Sequence, residues 1–177
     1  ISGIAWDHIN VFPTYENYVE QFEIFIDKIT NGGILVYNED DAEVKRVSEA
    51  ATNPIRKLPY STPAYTVNDG VTLLETPEGP MPIEVFGAHN LNNLAGAKWI
   101  CQNMGVDEAD FYEAIASFKG ASKRLEKIAE GKGRVAYKDF AHSPSKVAAT
   151  TKAVKEQYPN RTLVACLELH TYSSLNA

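Results

Sequence analysis

Hydrophobic positions along the first third of the chain follow two different periods. Residues 1–6, "ISGIAW", form a short apolar stretch that stops at Asp7-His8 and predicts a buried strand. Tyr15, Tyr18, Val19, Phe22, Phe25, Ile26 and Ile29 then recur at helical spacing, with Pro13-Thr14 before them and Asn31-Gly32-Gly33 after. That pattern predicts an amphipathic helix with a start signal and a glycine stop. "ILVY" (34–37) predicts a second buried strand, and residues 41–51 a short helix. The order β-α-β-α is that of a parallel sheet covered by helices.

The middle of the chain changes period. "AYTV" (64–67), "VTLLE" (71–75) and "MPIEVF" (81–86) are short strands joined by turn residues, and Asn68-Asp69-Gly70 supports a hairpin between the first two. Helices are predicted at about 90–103 and 107–118. The stretch "KGASKRLEKIAEGKG" (119–133) is polar, glycine-bearing and without a core pattern, which places a domain boundary near residue 120. Beyond the Gly-Lys-Gly turn at 131–133 a fresh β-α-β begins: "RVAYK" (134–138), a helix from Pro144 to about Gln157, and "TLVACLEL" (162–169). The fold class is therefore α/β, with domains at 1–120 and 121–177. No internal repeat and no low-complexity tract interrupts it.

Composition narrows the function classes. A chain of 177 residues with 44% hydrophobic and 23% charged residues is long enough to bury a core in one domain or two small ones. A formal net charge of −6 argues against general affinity for nucleic acid or an anionic membrane, although phosphates can still be held locally by amides, a metal or one arginine. No apolar run approaches the roughly 20 residues of a membrane span. Cys101 and Cys166 sit among apolar residues and read as reduced core thiols of a cytoplasmic protein. The chain begins at Ile1 without Met or a leader and ends at "SSLNA", and is expected to be a piece of a longer protein.

Four spots could carry chemistry. Asp7-His8 lies at the carboxyl end of a predicted parallel strand, the edge where ligands bind in open α/β sheets. A histidine beside a carboxylate can ligate a metal or move a proton; taken alone, the pair is more simply explained as a hydrogen-bonded turn. In "FGAHNLNNLAGAKWI" (86–100), His89, Asn90 and Asn93 open a helix, with both asparagines on one face. Their carboxamides offer the donor and acceptor that a purine edge requires, while Asn90 could instead be an N-cap. In "SKRLE" (122–126), Arg124 is of interest if it faces an anion. In "YKDFAHSPSKV" (137–147), Asp139 and His142 follow a strand, and Ser143-Pro144 read as N-cap and N1 of the next helix. No G-x-x-x-x-G-K-[ST] phosphate loop occurs.

Taken in order, "GIAWDHINVF", "FGAHNLNNLAGA", "SFKGASKRLE", "YKDFAHSPSKVAAT" and "LELHTYSSLN" resemble the Mur ligases, ATP-dependent enzymes that join amino acids or peptides to UDP-N-acetylmuramic acid. The resemblance implies the later part of a central ATPase domain and the start of a Rossmann-like C-terminal domain. It implies ATP and Mg²⁺ as cofactors, an acyl-phosphate intermediate, and a role in peptidoglycan biosynthesis or recycling. By position it makes His8 a magnesium ligand, with Asp7 orienting the loop or the imidazole. Asn90 and Asn93 become adenine contacts. Arg124 and Asp139 become residues that approach the nucleotide on domain closure, and His142 and His170 face the acceptor.

Within the family, "SFKGASKRLE" and "DFAH" look more like the peptide-adding murein peptide ligase than the alanine-adding enzyme. The latter carries two arginines where this chain has Thr171 and Ser174. Lys138 and Ser143 also depart from the usual acid and histidine, which bears on the acceptor. The expected acceptor is therefore the tripeptide L-Ala-γ-D-Glu-meso-diaminopimelate, with L-alanine addition as the alternative. Folylpolyglutamate synthesis fits "DFAHSP" less well, and a non-catalytic nucleotide-binding protein on the same scaffold is the reading from outside the enzymes. Oligomeric state stays open.

Overall fold

The computed structural model describes residues 1–168, and the chain forms two compact units. One comprises Ile1–Thr62 with Asn92–Glu108; the other comprises Pro63–Leu91 with the described residues from Ala109 onward.

The first unit is built on α1 (Tyr15–Asp27), β1 (Ile34–Asn38), α2 (Ala42–Ala50) and β2 (Arg56–Tyr60). Thr14 caps α1, its hydroxyl accepting from Asn17 N at 3.1 Å. Asp41 caps α2 by accepting from Glu43 N and Val44 N, both at 3.0 Å. Strands β1 and β2 pair in parallel from Ile34↔Arg56 to Asn38↔Tyr60. Val19 and Ile26 of α1, Leu35 and Tyr37 of β1 and Val44 and Val47 of α2 make the core, joined by Ile4. The predicted helices α1 and α2 and strand β1 are thus formed, but the parallel partner of β1 is β2, which was not predicted, rather than residues 1–6. The β2 sequence "RKLPY" is half polar and contains Pro59, which a strand tolerates only at an edge.

Residues 1–6 are not a strand. Ile1 N donates to Val36 O and Asn38 N donates to Ile1 O at 2.9 Å, so the segment starts beside β1. The ladder then stops because side chains take over: Asn38 Nδ2 donates to Ser2 O at 3.0 Å, and Ile4 N donates to Asp41 Oδ2 at 3.1 Å.

In the second unit, β3 (Tyr65–Asn68), β4 (Val71–Thr76) and β5 (Gly79–Ile83) form an antiparallel sheet in that order. Asp69 and Gly70 have φ of 47° and 80°, as a two-residue primed hairpin turn requires. The unit also takes in the start of α3 (Ala88–Asn103), most of α4 (Glu108–Ala116), the hairpin β6 (Glu126–Gly131)–β7 (Arg134–Lys138), and α5 (Pro144–Gln157). Phe86, Leu125 and Ala153 form a buried cluster, with Tyr137 and Val154 against it, drawing on residues either side of position 120. The end of α5 is tied to β3–β4: Tyr65 Oη donates to Glu156 at 2.8 Å, and Thr72 Oγ1 donates to the buried Gln157 at 3.0 Å.

Strand β6 went unpredicted because five of its six residues are exposed, leaving no alternation to read. The predicted strand at 162–169 is not formed over the described residues 162–168. Strand β7 pairs antiparallel with β6, no other described strand lies beside this run, and Val164 is 86% exposed. Cys166 in that run is exposed and Cys101 only half-buried; both are free thiols, but neither is the expected core residue. No described helix is long and apolar enough to cross a membrane.

Candidate functional site

In the first unit the carboxyl ends of β1 and β2 carry a polar network. Asn38 ends β1; its Oδ1 accepts from Asp40 N at 3.1 Å and from Asn92 Nδ2 at 3.0 Å. Asp40 Oδ2 accepts from Thr62 N at 2.7 Å, Thr62 Oγ1 at 2.9 Å and Asn92 Nδ2 at 3.3 Å. Asn38 and Asn92 are buried, 8% and 7% exposed, and every atom of this cluster belongs to the same unit. Sequence reading missed it: Asn92 was passed over between Asn90 and Asn93, and only its occurrence beside apolar helix positions could have marked it.

His8, in the same unit, is exposed and has φ 55°, a left-handed conformation uncommon outside glycine. The turn holding it is tied at both ends. Asp7 Oδ1 accepts from His8 N at 2.8 Å, and His8 O accepts from Val11 N and Phe12 N at 2.8 and 2.9 Å. Asp7 therefore shapes the loop. Asn93 is exposed on α3, and its carboxamide has no hydrogen-bond partner among the described residues.

In the second unit, Gly87 starts α3. Its carbonyl accepts from Asn90 N and Leu91 N at 3.0 and 3.1 Å, its φ is 87°, and a Cβ there would lie 2.4 Å from Ala153 Cβ. Gly87 is thus fixed by backbone and by packing against α5. The helix begins at Ala88, so Asn90 is not its N-cap; the Asn90 Nδ2 donates instead to Phe86 O at 2.9 Å. His89 ring atoms lie 3.2–3.3 Å from that virtual Cβ. Burial lowers the His89 pKa, with the Asp139 charge opposing.

Asp139 joins two turns. Its Oδ2 accepts from Leu125 N at 2.8 Å and its Oδ1 from Ala141 N at 2.7 Å, while Phe140 N donates to Lys123 O at 2.9 Å. Lys123 and Leu125, with φ of 57° and 48°, flank Arg124, which is exposed and whose guanidinium has no partner among the described residues. His142 Nδ1 meets Phe140 O at 2.9 Å, and its ring stands edge-on to Phe140. The structure therefore brings Arg124, Asp139, His142 and the unassigned His89 into one neighbourhood. Ser143 and Pro144 are the N-cap and first residue of α5, as expected, and Ser143 O accepts from Val147 N at 2.9 Å. Its hydroxyl makes no cap bond, however, and is buried without a partner among the described residues, so capping does not account for it. A cavity of 580 Å³, lined by Arg134, Lys155, Tyr158 and Arg161 among others, includes none of these candidates. His170, Thr171 and Ser174 lie outside the described residues.

Two implied groups can be tested against these atoms. For magnesium the described residues supply one candidate ligand and not a complete site: no three His, Cys, Asp or Glu side chains converge among them, and His8 offers a single nitrogen to an ion that prefers oxygen. For a nucleotide the fit is partial. Carboxamides suited to a base edge and a guanidinium with no partner among the described residues are present, but the sequence contains no loop to cradle β- and γ-phosphates.

An α/β chain with polar residues gathered at strand ends and helix starts has the layout of a nucleotide-site protein. It belongs to the Mur ligases: the Mur ligase middle domain model matches residues 1–101. A UDP-N-acetylmuramate–L-alanine ligase from Roseiflexus sp. (strain RS-1) is 28% identical over 204 residues, covering 100% of this chain and 44% of that protein. The chain thus spans less than half the length of that curated relative. Among solved structures, MurF from Acinetobacter baumannii superposes with a TM-score of 0.70 at 18% identity, covering 86% of this chain and 36% of that one. An FPGS complex with AMPPCP and folate gives a TM-score of 0.65 at 18% identity, covering 88% and 41%. The solved structures share the α/β fold of this chain, and the family rests on the middle-domain match. The narrower expectation of a peptide-adding member is not supported by these likenesses, since the matched relative adds L-alanine.

Proposed function

We propose that this chain carries the base-binding and acceptor-side half of an ATP-dependent carbon–nitrogen ligase that extends UDP-N-acetylmuramic acid in peptidoglycan synthesis. The observation that carries this reading is the match to a UDP-N-acetylmuramate–L-alanine ligase along the whole chain, with "DH", "HNLNN", "SKRLE" and "DFAHSP" in family order. In the proposed reaction the muramoyl carboxylate attacks the γ-phosphorus of ATP and ADP leaves. The acceptor amine then attacks the acyl phosphate carbon, loses a proton and expels phosphate to leave an amide. Asn90 and Asn93 hold the adenine edge through carboxamide hydrogen bonds. Arg124 faces the phosphates, and charge building on the transferring phosphoryl group makes a fixed guanidinium useful there. Asp139 holds the Arg124 turn and its own turn together, as its hydrogen bonds allow. His142 faces the acceptor. His8 remains our proposal for a magnesium contact, with no step assigned to it. We retain 1–120 and 121–177 as the working domain division, and a cytoplasmic setting.

For the acceptor we take L-alanine, the substrate in the matched relative's name. A second reading, the tripeptide L-Ala-γ-D-Glu-meso-diaminopimelate, is favoured by one observation: Thr171 and Ser174 offer no guanidinium fork for a free carboxylate. Phosphate release by the full-length protein with UDP-N-acetylmuramate, ATP and either acceptor decides between them. Faster turnover with L-alanine supports the first reading and faster turnover with the tripeptide the second. Release with neither, at saturating ATP, removes the ligase assignment.

A further inference from the structure

The buried polar network at the ends of β1 and β2 has no place in the mechanism above, although one member is the neighbour of a proposed base contact. Asn92 Nδ2 lies 3.0 Å from Asn38 Oδ1, 3.2 Å from Thr62 Oγ1 and 3.3 Å from Asp40 Oδ2, so two hydrogens are shared among three oxygens. Four residues on, one helical turn away, a Cβ on Gly96 would lie 2.9 Å from the Tyr60 ring, so α3 touches its support there. Asn38 is the last residue of β1 and Tyr60 the last of β2. Both anchors, one turn apart, thus fix α3 to the carboxyl edge of the parallel pair. They leave its next residue, Asn93, exposed with no partner among the described residues.

We infer that Asn92 is a positioning residue: it sets the rotation and register of α3 so that Asn93 faces the nucleotide base. Burying an amide gains little net stability over an apolar side chain of similar size, because its desolvation offsets its hydrogen bonds. Its distinct contribution is directional, since only one rotation of α3 satisfies those oxygens. The inference rests on the proposed reading of Asn93 as a base contact.

Steady-state kinetics on the full-length protein, with ATP and GTP as alternative donors, test it in four forms: wild type, Asn92→Leu, Asn93→Ala and Thr62→Val. Asn92→Leu keeps the branched skeleton of the side chain and removes the hydrogen bonds. It is expected to raise KM for ATP roughly ten-fold through misplacement of Asn93, with kcat changed far less. The preference for ATP over GTP should shrink, and a cooperative melting transition checks that the variant is folded at the assay temperature. Thr62→Val removes one acceptor, should shift KM for ATP in the same direction by less, and serves if Asn92→Leu does not fold. An unchanged KM and unchanged ATP preference in the folded Asn92 variant, or in Thr62→Val if that variant does not fold, overturns the inference. If Asn93→Ala itself leaves KM and preference unchanged, the base-contact reading falls and the inference with it. If Asn93→Ala raises KM and Asn92→Leu does not, only the inference falls.

Discussion

His89 shows how one side chain ties a helix start to a titration. Burial disfavours its imidazolium, which lowers its pKa below the ordinary 6.5, and the nearby Asp139 carboxylate only partly offsets this. The folded state therefore binds fewer protons than the unfolded chain between the lowered value and 6.5, so stability is present above that window and lost as pH falls through it. Urea midpoints between pH 7.5 and 5 should fall more steeply for wild type than for His89→Gln, and the two slopes should agree above pH 7. Parallel slopes throughout would mean that His89 is not held neutral by the fold. His89 was visible in the sequence as a polar residue at a helix start, but its environment was not, because the Asp139 charge acts on it from a distant point in the chain. Asp139 was legible as a residue after a strand. That its two oxygens are spent on Leu125 N and Ala141 N was not.

Among the elements, the legible ones have a buried face. Helix α1 was readable because Val19 and Ile26 repeat at helical spacing, and β3–β4 because Asp69-Gly70 marks the turn between alternating strands. Strands β2 and β6 were not, since one is interrupted by Pro59 and the other is exposed along almost its whole length. The junction of α3 with α5 depends on a single absent side chain. Gly87→Ala would meet a left-handed backbone and a 2.4 Å approach to Ala153 together, and we expect a loss of about 2–4 kcal/mol. Gly105→Ala provides the contrast: its φ is 93° but nothing lies within 4 Å, so only the backbone part, about 1–2 kcal/mol, should appear. Denaturant unfolding of both variants separates the two contributions, and Ala153→Gly combined with Gly87→Ala should recover the packing part. Equal losses for the two alanine variants would show that the α5 contact yields without cost.

For the whole molecule, the contents of the 177-residue sequence decide what it can do alone. It supplies the carboxamides proposed above as base contacts and a guanidinium with no partner among the described residues, but no G-x-x-x-x-G-K-[ST] loop whose backbone amides could hold β- and γ-phosphates. Phosphoryl transfer depends almost entirely on positioning and charge stabilisation around those phosphates. An adenine contact without them binds the donor but does not activate it. We therefore expect the chain by itself to give no ATP-dependent amide formation with UDP-N-acetylmuramate and L-alanine. Any nucleotide binding it retains should discriminate poorly between ATP, ADP and AMP. Calorimetric titration with the three nucleotides, alongside a phosphate-release assay, checks both statements. Affinity rising steeply from AMP to ATP would reveal a phosphate site that its sequence does not show, and sustained phosphate release coupled to amide product would refute the division of labour proposed for this chain.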